Sequence, residues 1–287
     1  MNRRTRAEIL ESLREKERNR ALILGTGAGT GLSAVAEEKG GADLIIVYGT
    51  GKYRMAGRSS MAGRFAFGNA NDLVLKMAQE VMPVAPHTPV LAGVFIQDPF
   101  RDMMGFIEQL KQAGYSGVQN VPGMGGMDQM EGARTVTSLD AAGIGMAMEL
   151  AFLRAAKDRG MVTTPYAYNL TQAVQLAANG SDMLCLHVGL TTKGLTAAQV
   201  APPIERCAQM LSSWIEAIRA ENPDTIILCH GGPIAEPQDF SYIMRHVEGI
   251  SGFYGASSIE RIPVERALVD ATSRFRTLHI APRPDAV

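Results

Sequence analysis

The chain has no long apolar run. Its longest, such as Leu44–Val47 and Met183–Leu186, are strand-sized and far short of the roughly 20 residues that cross a bilayer. No apolar signal core follows the charged, periodic opening MNRRTRAEILESLREKERNR, so secretion is not expected and a cytoplasmic location is. Charge of one sign is also missing, with 28 basic residues against 29 acidic ones. Such a balance gives no bulk field to draw nucleic acid or an anionic membrane, and neither is an expected partner. Cysteine is scarce. Cys185, Cys207 and Cys229 are odd in number and show no Cys-x-x-Cys spacing, which fits reduced core thiols rather than a disulfide framework or a thiolate metal site. The glycines of GTGAGTGLSA fall at 25, 27, 29 and 31, so neither a dinucleotide fingerprint nor a Walker sequence is present, and a nucleotide-dependent oxidoreductase is disfavoured.

What the chain does have is alternation. Short β-branched apolar runs recur between longer amphipathic ones, the pattern of parallel βαβ units. After an N-terminal helix (about 3–18), strands are predicted near 21–26, 43–48, 89–94, 117–121, 162–166, 182–188, 225–230 and 252–256. Helices are predicted near 31–39, 70–81, 100–113, 139–159, 170–178, 198–220, 238–246 and 263–275. Eight strands, each followed by a helix, predict an α/β fold of the (β/α)8 TIM-barrel type with an extra N-terminal helix, in preference to a doubly wound sheet. The expected domain organisation is a helix over 1–20 and a single barrel over 21–287. The helix over 139–159 is apolar on most faces, and methionines cluster near Met124–Met130; both point to a homo-oligomer.

In a barrel the βα loops at the strand C-termini build the active site. His187 and His230 close strands six and seven and are candidate acid–base groups or metal ligands, with Asp98 as the nearest strand-end carboxylate. Asn120 and Tyr166 end strands four and five. The stretch YGTGKYRMAGRSSMAGRFAFG carries Lys52, Arg54, Arg58 and Arg64 among five glycines and no acid; Arg54 and Arg58 are read as a clamp for a small anion, against the alternative of arginines paired with acids. Gly27 opens a glycine-rich turn at a helix N-terminus. Gly231 and Gly232 in HGGPI, with Gly255, Ser257 and Ser258 in YGASSIE, end strands seven and eight, where barrels often hold phosphate. Ser257 and Glu260 also have capping-box spacing. Glu149, inside an apolar helix, is read as a buried acid paired with an arginine or as a functional acid.

Longer motifs carry a resemblance. VYGTGKYRMAGRSSMAGRFAFGNAN, VLAGVFIQDPFRDM, GYSGVQNVPG, GMAMELAFLRAAKDRGMVTTPYAYN, LHVGLTT, CHGGPI and GFYGASSIERIPVE resemble the phosphoenolpyruvate hydrolase-like TIM-barrel family over about 24–275. The resemblance implies a hydrolase or lyase acting on a small anionic substrate, a phosphorylated or carboxylated keto acid such as phosphoenolpyruvate or phosphonopyruvate; the alternative is a non-catalytic ligand-sensing or protein-interaction barrel. Whether a divalent metal, magnesium or zinc, takes part is left open by the sequence. The mutase and phosphonopyruvate hydrolase group places several acids around magnesium at the strand ends. Here Asp98 is the only clear strand-end acid, and histidines, arginines and glycines predominate.

Overall fold

The computed structural model describes residues 4–65, 68–126, 133–198 and 200–280. Its strands are β1 (Ile23–Gly27), β2 (Leu44–Val47), β3 (Val90–Gly93), β4 (Gly117–Gln119), β5 (Val162–Thr163), β6 (Tyr166–Ala167), β7 (Met183–His187), β8 (Ile226–His230) and β9 (Gly252–Gly255). Every pairing is parallel, and the spatial order is β5-β4-β3-β2-β1-β9-β8-β7-β6. The two ends of that order, β5 and β6, are halves of one extended segment divided at Thr164–Pro165. Proline has no N–H to give to a ladder, which explains the division. Around it, Thr164 N–H still donates to Val118 O at 3.1 Å, and Pro165 O accepts from Cys185 N–H at 3.0 Å. The sheet therefore closes into the expected eight-unit α/β barrel, with its fifth strand in two pieces.

Strand positions agree with the alternation to within two or three residues, and two stretches differ from expectation. The helix expected over 139–159 is two helices, Ala133–Ala141 and Met146–Asp158. The chain turns between them at Gly143, whose φ of 75° lies in the left-handed region that glycine adopts without a steric cost. The arginine-rich stretch expected as an open loop contains a helix, Gly49–Met55, and a 3-10 turn, Ser60–Arg64. Its glycines allow this. A Cβ at Gly29 would lie 2.2 Å from Gly51 O, so the helix seats directly against the turn after β1. Of the methionine cluster, Met124 is buried, and Met127 and Met130 lie outside the described residues.

The N-terminal helix Arg6–Arg18 starts with a capping box formed by Thr5 and Glu8. Its apolar face, Ile9 and Leu13, joins the cluster inside the barrel with Ile23, Leu44, Leu91, Met183 and Ile226. Arg6 pairs with Asp182, Lys16 with Asp43 at 2.5 Å, and Glu17 accepts from the Ser251 hydroxyl. The helix thus plugs the N-terminal end of the barrel, leaving the opposite mouth for a ligand. Among the described residues no helix is long and apolar enough to cross a membrane. All three cysteines are buried free thiols.

Because Leu13 seals the plug, Leu13→Ala removes buried methyl groups where the barrel floor cannot collapse, and we expect a loss of about 2–5 kcal/mol. Urea unfolding measures it; an unchanged midpoint would show that the helix is a dispensable appendage.

Candidate active site at the barrel mouth

The strand C-termini open onto a cleft of about 110 Å³. Tyr48, Val121–Gly123, Tyr166, His187, His230 and Ser257 bring the ends of six different strands to its wall. The two histidines share it. Their ring centroids are 4.8 Å apart, and the Tyr166 ring touches both, at 5.1 Å from His187 and 5.3 Å from His230. Tyr168 packs on His187 at 4.5 Å.

Hydrogen bonds fix the two rings in opposite tautomers. Gly189 N–H donates to His187 Nδ1 at 3.2 Å, which requires a bare Nδ1 and puts the proton of the neutral ring on Nε2. His230 Nδ1 lies 2.7 Å from Tyr254 O. A carbonyl can only accept, so His230 is protonated at Nδ1 and bare at Nε2. Burial lowers the His230 pKa to about 4; the Tyr254 carbonyl opposes this and the Arg54 charge reinforces it. Two neutral imidazoles thus stand side by side, one with a donor and one with an acceptor at Nε2. Tyr166 stays a phenol, because burial first, and then its Tyr48 and Cys185 neighbours, raise its pKa well above the ordinary value.

Arg54 also lines the cleft, and its side chain is 1% exposed. Nε and Nη2 donate to Glu260 Oε2 at 2.8 and 2.5 Å, Nη2 donates to Gly27 O at 2.8 Å, and Nη1 lies 3.4 Å from Tyr48 Oη. Glu260 Oε1 accepts from Gly29 N–H at 2.5 Å. Burial alone would lower the arginine pKa, but Tyr48 and Glu260 outweigh it and hold the value above normal. The amides of the glycine-rich turn are therefore met by the protein's own acids, Glu260 at Gly29 and Glu80 at Gly31. Gly27 gives close packing instead: a Cβ there would lie 3.2 Å from the Ala256 Cβ.

The remaining candidates divide between the mouth and its surroundings. Arg58 is exposed and lies outside the cleft wall, so the Arg54–Arg58 clamp is not assembled. Arg261, which the sequence reading passed over, takes a place there: it is buried, lines the cleft, and donates to Glu265 Oε1 at 2.7 Å and to Lys193 O at 2.8 Å. Its only sequence signal was an i,i+4 spacing to Glu265, which reads as an ordinary surface pair. Gly232 N–H is committed to Gly189 O at 2.7 Å, and Gly231 and Gly232 have φ of 87° and 57°; this pair locks the loops after β7 and β8 together. Gly255 and Ser258 lie behind Ser257, outside the cleft wall. Glu260 serves Arg54 and Gly29 rather than a capping box, and Ile262 N–H bonds to Ser257 O at 2.9 Å.

Asp98 is buried away from the histidines. It accepts from Asn69 Nδ2 at 3.0 Å, Asn71 Nδ2 at 3.1 Å, Phe100 N–H at 3.2 Å and Arg101 Nε at 3.2 Å. Burial works to raise its pKa, and these donors together bring it below the ordinary value. Asn120 stands at the end of β4, bonded to Glu149 rather than facing the cleft; among the described residues Glu149 has amide partners and no arginine. Among the described residues no three His, Cys, Asp or Glu side chains group closely enough to hold a metal ion. Magnesium favours several hard oxygen ligands. Among the described residues Asp98, Glu149 and Glu260 each turn to different N–H donors, so these acids do not fit a resident magnesium, and two imidazoles with no third described ligand do not fit zinc either.

The model of the phosphoenolpyruvate hydrolase-like family matches residues 8–278. The chain belongs to that family. The ToMV susceptible protein tm-1(GCR26) and the ToMV resistance protein Tm-1(GCR237), both of Solanum lycopersicum, are 42% identical over 273 residues, covering 95% of this chain and 36% of theirs. The chain thus spans about a third of the length of these curated relatives. A phosphonopyruvate hydrolase solved in complex with oxalate and Mg++ superposes with a TM-score of 0.58 at 16% identity, covering 93% of this chain and 87% of that one. At that identity the likeness speaks for the barrel alone.

Two predictions follow from the geometry. Histidine-selective 15N spectra from pH 8 to pH 5 are expected to show His230 neutral throughout, with its proton on Nδ1; a ring that charges near pH 6.5 would contradict the buried environment. Arg54→Met leaves Glu260 buried without its counter-ion and is expected to cost about 3–5 kcal/mol, most of it recovered in Arg54→Met/Glu260→Leu. Thermal unfolding of the three proteins decides; a double variant no better than the single would remove the ion pair as the cause.

Proposed function

We propose that the chain is a hydrolase or lyase acting on a small phosphorylated or carboxylated keto acid. The observation that carries this reading is the opposed pair of neutral imidazoles at the barrel mouth. Cleaving a bond next to a carbonyl transiently puts negative charge on the carbonyl oxygen, and a placed N–H lowers that barrier most when it needs no reorganisation. His187 Nε2–H and the Tyr166 phenol supply donors of this kind. His230 Nε2, bare and weakly basic, accepts a hydrogen bond from water or from a substrate hydroxyl and orients it. Arg54 Nη1, Arg261 and the Ser257 hydroxyl face the same space and take the acid group.

Family membership supports the reading, as does the phosphonopyruvate hydrolase that shares the barrel and was solved with oxalate, a small dicarboxylate. A second reading, a barrel that binds an anion or a protein without turnover, is favoured by one observation: its 42% relatives bear names for response to a tomato virus.

Turnover separates the two. Release of pyruvate and inorganic phosphate is followed with phosphonopyruvate and phosphoenolpyruvate, and release of oxalate and acetate, or of pyruvate, with oxaloacetate, each with and without magnesium. For an active substrate, His187→Asn is expected to lower kcat about 10²–10⁴-fold with a smaller change in KM, the range for loss of a placed acid–base group. Absence of turnover with all three compounds would refute the enzyme reading in favour of the second.

A further inference from the structure

Glu149 is 0% exposed, in the first turn of helix Met146–Asp158. Among the described residues it has no cation partner, and three N–H donors surround it. Oε1 accepts from Met124 N–H at 2.6 Å and from Gln97 Nε2 at 3.2 Å, and Oε2 accepts from Asn120 Nδ2 at 2.9 Å. Burial raises its pKa, opposed by these donors, and the N-terminal end of the helix dipole adds a favourable field for a carboxylate.

Two partners of this acid, Met124 and Asn120, lead to the cleft. Met124 is preceded by Val121, Pro122 and Gly123, which line it. Gly123 sits so close that a Cβ would lie 2.4 Å from Asn120 O and 3.1 Å from Glu149 Oε1. Asn120 bridges onward. With Nδ2 drawn to Glu149, its Oδ1 accepts from Tyr166 N–H at 2.7 Å. Tyr166 begins β6 just after the break in the fifth strand, and its ring touches both histidines.

We infer that Glu149 is a positioning residue for the mouth: an acceptor-only side chain that sets the orientation of the Asn120 amide and, through it, holds Tyr166 against His187 and His230. The direction of the hydrogen bonds makes the role specific. A glutamine at 149 has the same shape, but turned one way its NH2 faces Met124 N–H, and turned the other it faces the NH2 of Asn120. Turning Asn120 over to relieve that conflict would put its NH2 against Tyr166 N–H. The mismatch is passed along the chain and cannot be absorbed at either end.

The same logic gives the rescue. In E149Q/N120D, one carboxylate oxygen of residue 120 accepts from the glutamine NH2 and the other from Tyr166 N–H, restoring every donor–acceptor match except the one at 3.3 Å from Asn120 Nδ2 to Tyr166 O, with unchanged net charge. N120D alone sets two carboxylates against each other.

The primary readout is the histidine-selective 15N spectrum, which needs no substrate. Glu149→Gln and Asn120→Asp are each expected to move the His187 and His230 ring signals by more than a linewidth, leaving His87 and His246 in place, with the double variant returning them to the wild-type positions. Oxalate affinity is expected to fall about tenfold in each single variant and to recover in the double, about 1.4 kcal/mol at 25 °C. Wild-type His187 and His230 signals in a folded Glu149→Gln protein would overturn the proposal. If the single variants do not fold, the double decides: restored signals support the proposal, and displaced ones refute it. The consequence for catalysis rests on the keto-acid reading, but the ring signals do not. A wild type without turnover whose variants follow this pattern would defeat that reading and leave Glu149 in its role.

Discussion

The mouth of this barrel is organised around one buried ion pair. Arg54 comes from the helix after β2 and Glu260 from the loop after β9, and they meet over the backbone of the turn after β1, at Gly27 O and Gly29 N–H. Three consecutive βα connections around the ring are tied by one guanidinium and one carboxylate. Neither charge can relax into water, since both side chains are almost wholly buried. Taking two ions out of water costs several kcal/mol each, and the arrangement holds only because nearly every remaining donor and lone pair also finds a partner. The glycines at 27, 29 and 51 are the steric condition for this, allowing backbone to approach backbone where a side chain would intrude.

From that tie the chemistry of the cleft follows. Arg54 lowers the basicity of His230, one of the causes that keep the ring neutral. The carbonyl of Tyr254, on the strand that leads to Glu260, takes the His230 Nδ1 proton and leaves Nε2 open. On the neighbouring strand the amide of Gly189 gives His187 the opposite tautomer. The difference between the two rings therefore comes from backbone groups of adjacent loops, locked together where Gly232 N–H meets Gly189 O. A site built this way presents donor and acceptor together without carrying net charge on either imidazole.

Much of the fold was legible because the apolar β-branched runs and the amphipathic stretches have different periods, and eight repeats of that contrast leave few alternatives. His187, His230 and Tyr166 were legible for a related reason: each is polar where an apolar strand stops. Partner choice was not. Arg54 and Glu260 are 206 positions apart, and no local pattern says that an arginine among glycines will be buried on a glutamate near the other end of the chain. The charge-rich stretch therefore read as an open anion clamp. Arg58, three residues past the end of its helix at Met55, ended in solvent. Glu149 read as half of a salt bridge because an isolated buried carboxylate is costly, and amides from three different segments meet that cost in a way only the fold reveals. Arg261 hid behind a spacing that on most helices marks a solvated pair.

The central claim is that a small dianionic acid binds in the cleft against His187 and His230. The most direct test is a titration of the folded, histidine-labelled protein with oxalate, read in the long-range 15N spectrum of the imidazoles. The account predicts a saturable, one-to-one change at the His187 and His230 rings, with His87 and His246 unmoved. Saturable oxalate binding that leaves both mouth rings unchanged, or no binding at millimolar oxalate, would contradict it.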